Sequence, residues 1–311
     1  MSKNLSEALV WREVPIPATS ATGTVPLRIG EAGTGRPRAL IVASQHGDEG
    51  PWGTRAIRKL LEATPESDLL GSLRIVPVMN PLAFEEGTRE SHIDQEDLNS
   101  LLPGDPDGRH TERLGHAVVT ELAPDVDVLI DIHGGGHWCM NGFVYRFDGS
   151  HDLAEWIGGD FVRTGHERGE ASLTCYLRNR GAKVVWLEMG GAGITEEDWA
   201  QRIADGARRG LGKLGVLRPS ALPDPKPAKE IPEAKSFRTP FPGLYLPALR
   251  ERDVATIVDG GTLIGTTIDA VTNDPTHEFR APFAKTAVML IRPRLAVVEA
   301  GEMICVMGNA G

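Results

Sequence analysis

Short runs of Val, Ile and Leu alternate with helical-looking stretches from residue 24 to about 217, and this alternation limits the fold more than any other feature of the chain. The apolar runs are Ala39 to Ala43, Leu73 to Met79, Val126 to Ile132, Phe143 to Phe147 and Lys183 to Leu187. Unbroken runs of this kind suit strands that are buried on both faces. Between them, Gly53 to Ala63, Thr111 to Leu122 and Glu196 to Leu214 carry apolar residues at helical spacing with charged outer faces. Strand alternating with helix predicts a three-layer α/β unit around a mixed, mostly parallel sheet.

The texture changes after residue 217. Arg218 to Pro232 holds five prolines, which can continue neither a helix nor a central strand, so it reads as a linker or an extended crossing segment. Beyond it, Leu244 to Leu246, Val254 to Val258, Leu263 to Ile268, Ala287 to Ile291 and Met303 to Met307 are β-type runs divided by Gly, Pro, Asn and Asp. They predict a small all-β barrel or sandwich. The expected division is an α/β domain over 1–217, a proline-rich linker over 218–232 and a C-terminal β domain over 233–311. A length of 311 residues accommodates one large core and a smaller satellite.

Two groups with metal-ligand chemistry stand just past probable strands. His46-Gly47-Asp48-Glu49 follows the run ending at Ala43, and His133 closes Val128-Leu129-Ile130-Asp131-Ile132. A close His-x-x-Glu pair with a distant His is the ligand set of a catalytic zinc, which keeps its fourth position for water. A lone His-x-x-Glu is common and binds metal about one time in ten. The strand-end placement changes that weighting, because open α/β sheets bind ligands outside the carboxyl ends of their strands. The two groups are therefore expected to converge although 84 residues separate Glu49 from His133. Glu188 also ends an apolar run, where an unpaired carboxylate would be costly to bury. It is the candidate for taking a proton from the water that the metal activates and returning it to a leaving amine. Arg89 is the candidate cation for a developing oxyanion, and Asn99 the candidate donor to a substrate carboxylate. Taken singly, a charged loop residue such as Arg89 is usually just solvated.

Composition removes other classes. A net charge of −10 without a Lys/Arg cluster argues against nucleic-acid or anionic-membrane partners. Cys139, Cys175 and Cys305 form no C-x-x-C pair, which fits a reducing cytoplasm rather than a disulfide framework or a thiolate metal site. Met1-Ser2-Lys3-Asn4 leads into polar sequence without a signal-peptide core, and no apolar run is long enough to span a membrane.

Together the motifs resemble the succinylglutamate desuccinylase/aspartoacylase family, whose fold is that of the zinc carboxypeptidases. The resemblance is carried by His46-Gly47-Asp48-Glu49-Gly50, Asn80-Pro81, Gly87-Thr88-Arg89, Asp97-Leu98-Asn99, Pro103-Gly104, Asp131-Ile132-His133 and Glu188-Met189-Gly190, in the family's order and spacing. It covers nearly the whole chain, including the C-terminal β region. It implies hydrolysis of the amide bond of a small N-acylated amino acid or a related compound. It further implies one zinc per chain on His46, Glu49 and His133, with Glu188 as base and acid and Arg89 polarising the scissile carbonyl. Asp97 would hold the imidazole of His46, and Asn99 and Arg178 would bind substrate. A peptidase or esterase on the same site, or a silent metal-binding module, are the competing readings; homo-oligomerisation is left open.

The chain departs from the family at Ser100, where an arginine usually grips the substrate's carboxylate. Serine cannot form a bidentate charged pair. Either another cation, Arg178 or Arg146, takes that role, or the substrate offers no free carboxylate there.

Overall fold

The computed structural model of the chain describes residues 3–19, 23–165, 171–191 and 193–311. Met1 and Ser2, on which the expectation of no leader partly rests, lie outside the described residues. A short helix α1 (Leu5–Ala8) precedes two long antiparallel strands, β1 (Val10–Thr19) and β2 (Gly23–Ala32). The alternation then runs through β3 (Arg38–Ala43), α2 (Gly50–Ala63), β4 (Ser72–Val76), α3 (Pro81–Glu86), α4 (His110–Ala117), β5 (Val128–His133) and β6 (Met140–Arg146). It continues through α5 (His151–Ile157), β7 (Phe161–Thr164), α6 (Leu173–Arg178), β8 (Lys183–Gly191) and α7 (Glu196–Lys213).

Parallel pairing holds the centre of the large sheet, in the order β4-β3-β5-β8, and antiparallel strands flank it. Both faces are buried, and the alternation of side chains shows it. Ala39, Ile41, Ala43, Ile130, Ile132, Val185 and Leu187 belong to one core. Leu40, Val42, Leu129, Val184 and Trp186 belong to the other. The first core is covered by α2 and α7, and α6 packs on the opposite face against β5 and β8. In α2 the apolar stripe is Trp52, Ala56, Ile57, Leu60 and Leu61, all buried. Pro51 is tolerated in its first turn, where the missing N–H would be unpaired in any case. Thr64 ends it by donating its hydroxyl back to the Leu60 carbonyl at 2.7 Å. Removing Trp52 from this stripe would cost about 3–5 kcal/mol, in the usual range for truncating a buried aromatic.

Several boundaries differ from the sequence expectation. The strand expected over Leu73 to Met79 stops at Val76, because Pro77 has no N–H to continue the ladder. The stretch over Thr111 to Leu122 is α4 followed by a wider turn of π type, Val118–Leu122. The run Lys183 to Leu187 extends to Gly191, held by antiparallel β6. The strands β1 and β2 were not foreseen. Pro15 and Pro17 argue against a central strand, and β1 is instead the sheet's edge, where proline is tolerated.

Apart from one 3-10 turn, Glu251–Asp253, the regular structure of the C-terminal region is β, with strands β9 (Lys229–Glu230), β10 (Ala234–Arg238), β11 (Gly243–Pro247), β12 (Ile257–Asp259), β13 (Leu263–Ile268), β14 (Pro275–Arg280), β15 (Lys285–Ile291), β16 (Ala296–Val298) and β17 (Met303–Asn309). The run Val254 to Val258 yields only β12, which begins at Ile257. Four of these strands form a separate antiparallel sheet, ordered β14-β13-β11-β16. The others extend the large sheet: β9 pairs with β7, and β10, β12 and β17 join through β15, which pairs with β6 through Leu290↔Asn141 and Ile291↔Met140. No described helix is long and apolar enough to cross a membrane, and all three cysteines are free and buried.

Candidate metal centre and active site

His46 sits three residues past the end of β3, at the entry to a turn, Gly47–Glu49, that runs directly into α2. The turn packs against α3 so closely that a Cβ on Gly47 would stand 2.0 Å from the Ala83 carbonyl, so only glycine fits. Glu49 immediately precedes α2, where the helix dipole favours a carboxylate. His133 is the last residue of β5, which lies beside β3 in parallel register. The sheet thus brings both ends to one place.

His46, Glu49 and His133 converge, with one ligand atom from each within 4.8 Å of the others. The Nδ1 of His46 is 2.9 Å from Glu49 Oε1, and the Nδ1 of His133 is 2.9 Å from Glu49 Oε2. Each imidazole is held from behind by a second carboxylate. His46 Nε2 lies 3.1 Å from Asp97 Oδ1, and His133 Nε2 lies 3.2 Å from Asp131 Oδ1. Asp131 is fully buried and is itself fixed by N–H donation from Gln45 at 2.8 Å and by the Thr174 hydroxyl at 2.8 Å.

This donor set fits a divalent metal. An imidazole that donates Nε2–H to a carboxylate presents a bare Nδ1, and two such nitrogens facing one carboxylate require positive charge between them. Without a metal, protons on the imidazoles supply that charge. Burial favours the protonated form of Glu49, but the His46 charge and the bonds to His133 and His46 outweigh it and hold the carboxyl far below its usual range. Burial likewise opposes charge on the imidazoles. Glu49 nevertheless pulls His46 upward, and Asp131 with Glu49 pulls His133 well upward.

The expected catalytic residues border the same cavity, of about 190 Å³, which His46, Glu49, Arg89, Asn99, Trp138 and Glu188 help to line. Arg89 Nη1 is 3.2 Å from His46 Nδ1 and 3.3 Å from Glu49 Oε1, while Nη2 donates to Asp97 Oδ2 at 2.9 Å. Glu188 accepts from Asn141 Nδ2 at 2.5 Å, and burial followed by the Glu49 charge pushes its pKa up to about 7. Asn99 is buried with its Oδ1 unpartnered. Arg178 is placed elsewhere: it ends α6, with its guanidinium 5.7 Å from the Phe147 ring, and does not line the cavity. Arg146 pairs with Glu230, and Ser100 is exposed to solvent outside the lining. A larger hollow, about 790 Å³ between β1–β2 and α3, has none of the metal-donor residues in its wall.

Several contributors went unrecognised in the sequence. Asp131 had a usable signal, since it stands two residues before His133 on a strand and so shares its face. Gln45, Thr174 and Asn141 had none. Trp138 lines the cavity with its ring against the Arg292 guanidinium, 4.6 Å away, and Leu290 and Met303 of the C-terminal region also reach the wall.

Residues 36–213 match the model of the succinylglutamate desuccinylase/aspartoacylase catalytic domain. A protein of Halomonas elongata named N-alpha-acetyl-L-2,4-diaminobutyric acid deacetylase is 40% identical over 235 residues, covering 70% of this chain and 67% of that one. A succinylglutamate desuccinylase structure from Silicibacter superposes with a TM-score of 0.82 at 23% identity, covering 100% of both chains. The product-bound ectoine utilization protein EutE (DoeB) of Ruegeria pomeroyi gives 0.80 at 24% identity, over 97% of this chain and 95% of that one. These two likenesses establish the fold.

Proposed function

The chain belongs to the succinylglutamate desuccinylase/aspartoacylase family, and we propose that it is a zinc-dependent deacylase that hydrolyses the amide bond of a small N-acylated amino acid. The observation that carries this reading is the convergence of two carboxylate-backed imidazoles on Glu49, beside a cavity that His46, Glu49, Glu188 and Arg89 line. His46, Glu49 and His133 would hold the metal, leaving a position open as catalytic sites require. A divalent ion there polarises a carbonyl and lowers the pKa of water.

The remaining chemistry falls to the chain's own groups. Glu188 takes a proton from the attacking water and returns it to the leaving nitrogen, which must depart as a neutral amine. Its elevated pKa suits both directions of transfer near neutral pH. Arg89, half exposed, directs its guanidinium at the carbonyl oxygen as negative charge develops. Asn99 offers an amide with a buried, unpartnered Oδ1 to the substrate's polar groups. Among the described lining residues Arg89 is the only Arg or Lys, which disfavours a dicarboxylate such as succinylglutamate. Nα-acetyl-2,4-diaminobutyrate, named for the Halomonas relative, is therefore the first substrate to test.

The test joins metal analysis to hydrolysis. The purified protein should carry about one zinc per chain, and His46→Ala should lose it. Acetylated, succinylated and formylated amino acids, with matched amides and peptides, then report the reaction class. Full zinc occupancy in His46→Ala, or peptide cleavage outrunning every N-acyl amino acid, would overturn the reading.

A further inference from the structure

Asn141 lies on β6 at the seam where the C-terminal strands join the large sheet, paired with Gly190 of β8 on one side and with Leu290 of β15 on the other. In the same register Phe143 faces Glu188, so Asn141 and Glu188 are diagonal neighbours on one face of an antiparallel pair. Asn141 is only 4% exposed, and its Nδ2 reaches Glu188 Oε2 at 2.5 Å. Only the N–H end of the amide can face a carboxylate, since the reverse orientation would press two oxygens together. The other end agrees: Asn141 Oδ1 lies 3.7 Å from the Cys139 thiol, a donor. That thiol also lies 2.8 Å from the Gly135 carbonyl, and burial keeps it protonated.

We propose that Asn141 is the positioning residue for Glu188, tying down Oε2 so that Oε1 faces the cavity where the proton is exchanged. This rests on the reading of Glu188 as the base. Among the described residues, Oε1 makes no hydrogen bond, which leaves it available for that exchange. A carboxylate held by one oxygen loses rotational freedom about its last bond, and proton transfer is sensitive to such placement. Asn141 also lines the cavity, but its side-chain hydrogen bonds among the described residues go to Glu188 and Cys139 and to none of the metal ligands, so its proposed action runs through Glu188.

A double-mutant cycle with zinc-loaded protein separates this role from a structural one. Asn141→Ala should lower kcat roughly ten- to a hundredfold, the usual cost of losing an orienting partner, with KM within about threefold and zinc content unchanged. In a Glu188→Gln background the same substitution should change kcat by no more than about twofold, because the group it positions is already disabled. Asn141→Asp, equal in shape, guards against misfolding. It should lower kcat at least as much, and in Asn141→Asp/Glu188→Gln the exchanged donor and acceptor should restore Tm without restoring turnover. Wild-type kcat in folded Asn141→Ala, or an undiminished loss in the Glu188→Gln background, would overturn the proposal. Wild-type turnover in Glu188→Gln alone would instead remove the base assignment beneath it.

Discussion

Glu188 stands directly beside His133, as its register partner across the parallel strands β5 and β8. The two are 55 positions apart in sequence (188 minus 133) yet share one face of the sheet. Backbone pairing thus sets the separation between the proposed base and a proposed metal ligand. A side-chain change at either position can alter chemistry without moving its neighbour.

Glu188→Gln tests this directly. Turnover should fall by about two to four orders of magnitude, the scale of lost general acid–base catalysis. Zinc content and fold should be retained, because glutamine keeps the volume and removes a buried carboxylate that Glu49 repels. Steady-state kinetics with metal analysis checks both halves; a folded, zinc-loaded variant with wild-type kcat would exclude Glu188 from the reaction.

Asp131→Asn should weaken zinc binding by roughly ten- to a hundredfold. The carboxylate is fully buried and accepts from His133, Gln45 and Thr174 at once, so an amide would turn a donor toward at least one of three donors. Competition with a chelator gives the affinity. Unchanged affinity would mean that the carboxylate behind His133 does not orient it.

Removing the metal should change the pH dependence of stability. In the metal-free protein His46 and His133 have raised pKa values, so their protonation stabilises the fold fully below 6.5 and the contribution is lost as pH rises through the folded-state values. Zinc competes with those protons and binds more tightly as they leave. The gap in Tm between loaded and stripped protein should therefore widen as pH rises above about 6.5. Paired thermal melts measure it, and a gap that narrows would contradict the ligand assignment.

Trp138→Ala should relax selectivity for acyl size. The ring is part of the cavity wall and is braced by Arg292, whose Nε donates to the Met303 carbonyl at 2.8 Å. Truncation enlarges a cavity of about 190 Å³. The ratio of kcat/KM for butyryl to acetyl substrates should rise on the order of tenfold, as expected when a steric limit of about two methylenes is removed. An unchanged ratio would place Trp138 away from the acyl group.

The sequence by itself marked the alternating core elements, though not β1 and β2, and the candidate ligand groups. Apolar runs such as Ala39 to Ala43 and Val128 to Ile132 can satisfy both faces only inside a layered α/β core, and strand ends are where such a core exposes loops. His46, Glu49, His133 and Glu188 were legible because each stands at or just beyond such a run. The tertiary structure decided what surrounds them. Asn141 meets Glu188 only through the register of β6 against β8, and Thr174 meets Asp131 only because α6 packs beneath β5. Leu290 and Met303 reach the cavity because β15 extends the central sheet instead of closing a separate one. Local pattern records which face a residue prefers. Which strand becomes its neighbour depends on pairing among distant segments, and no single segment carries that information.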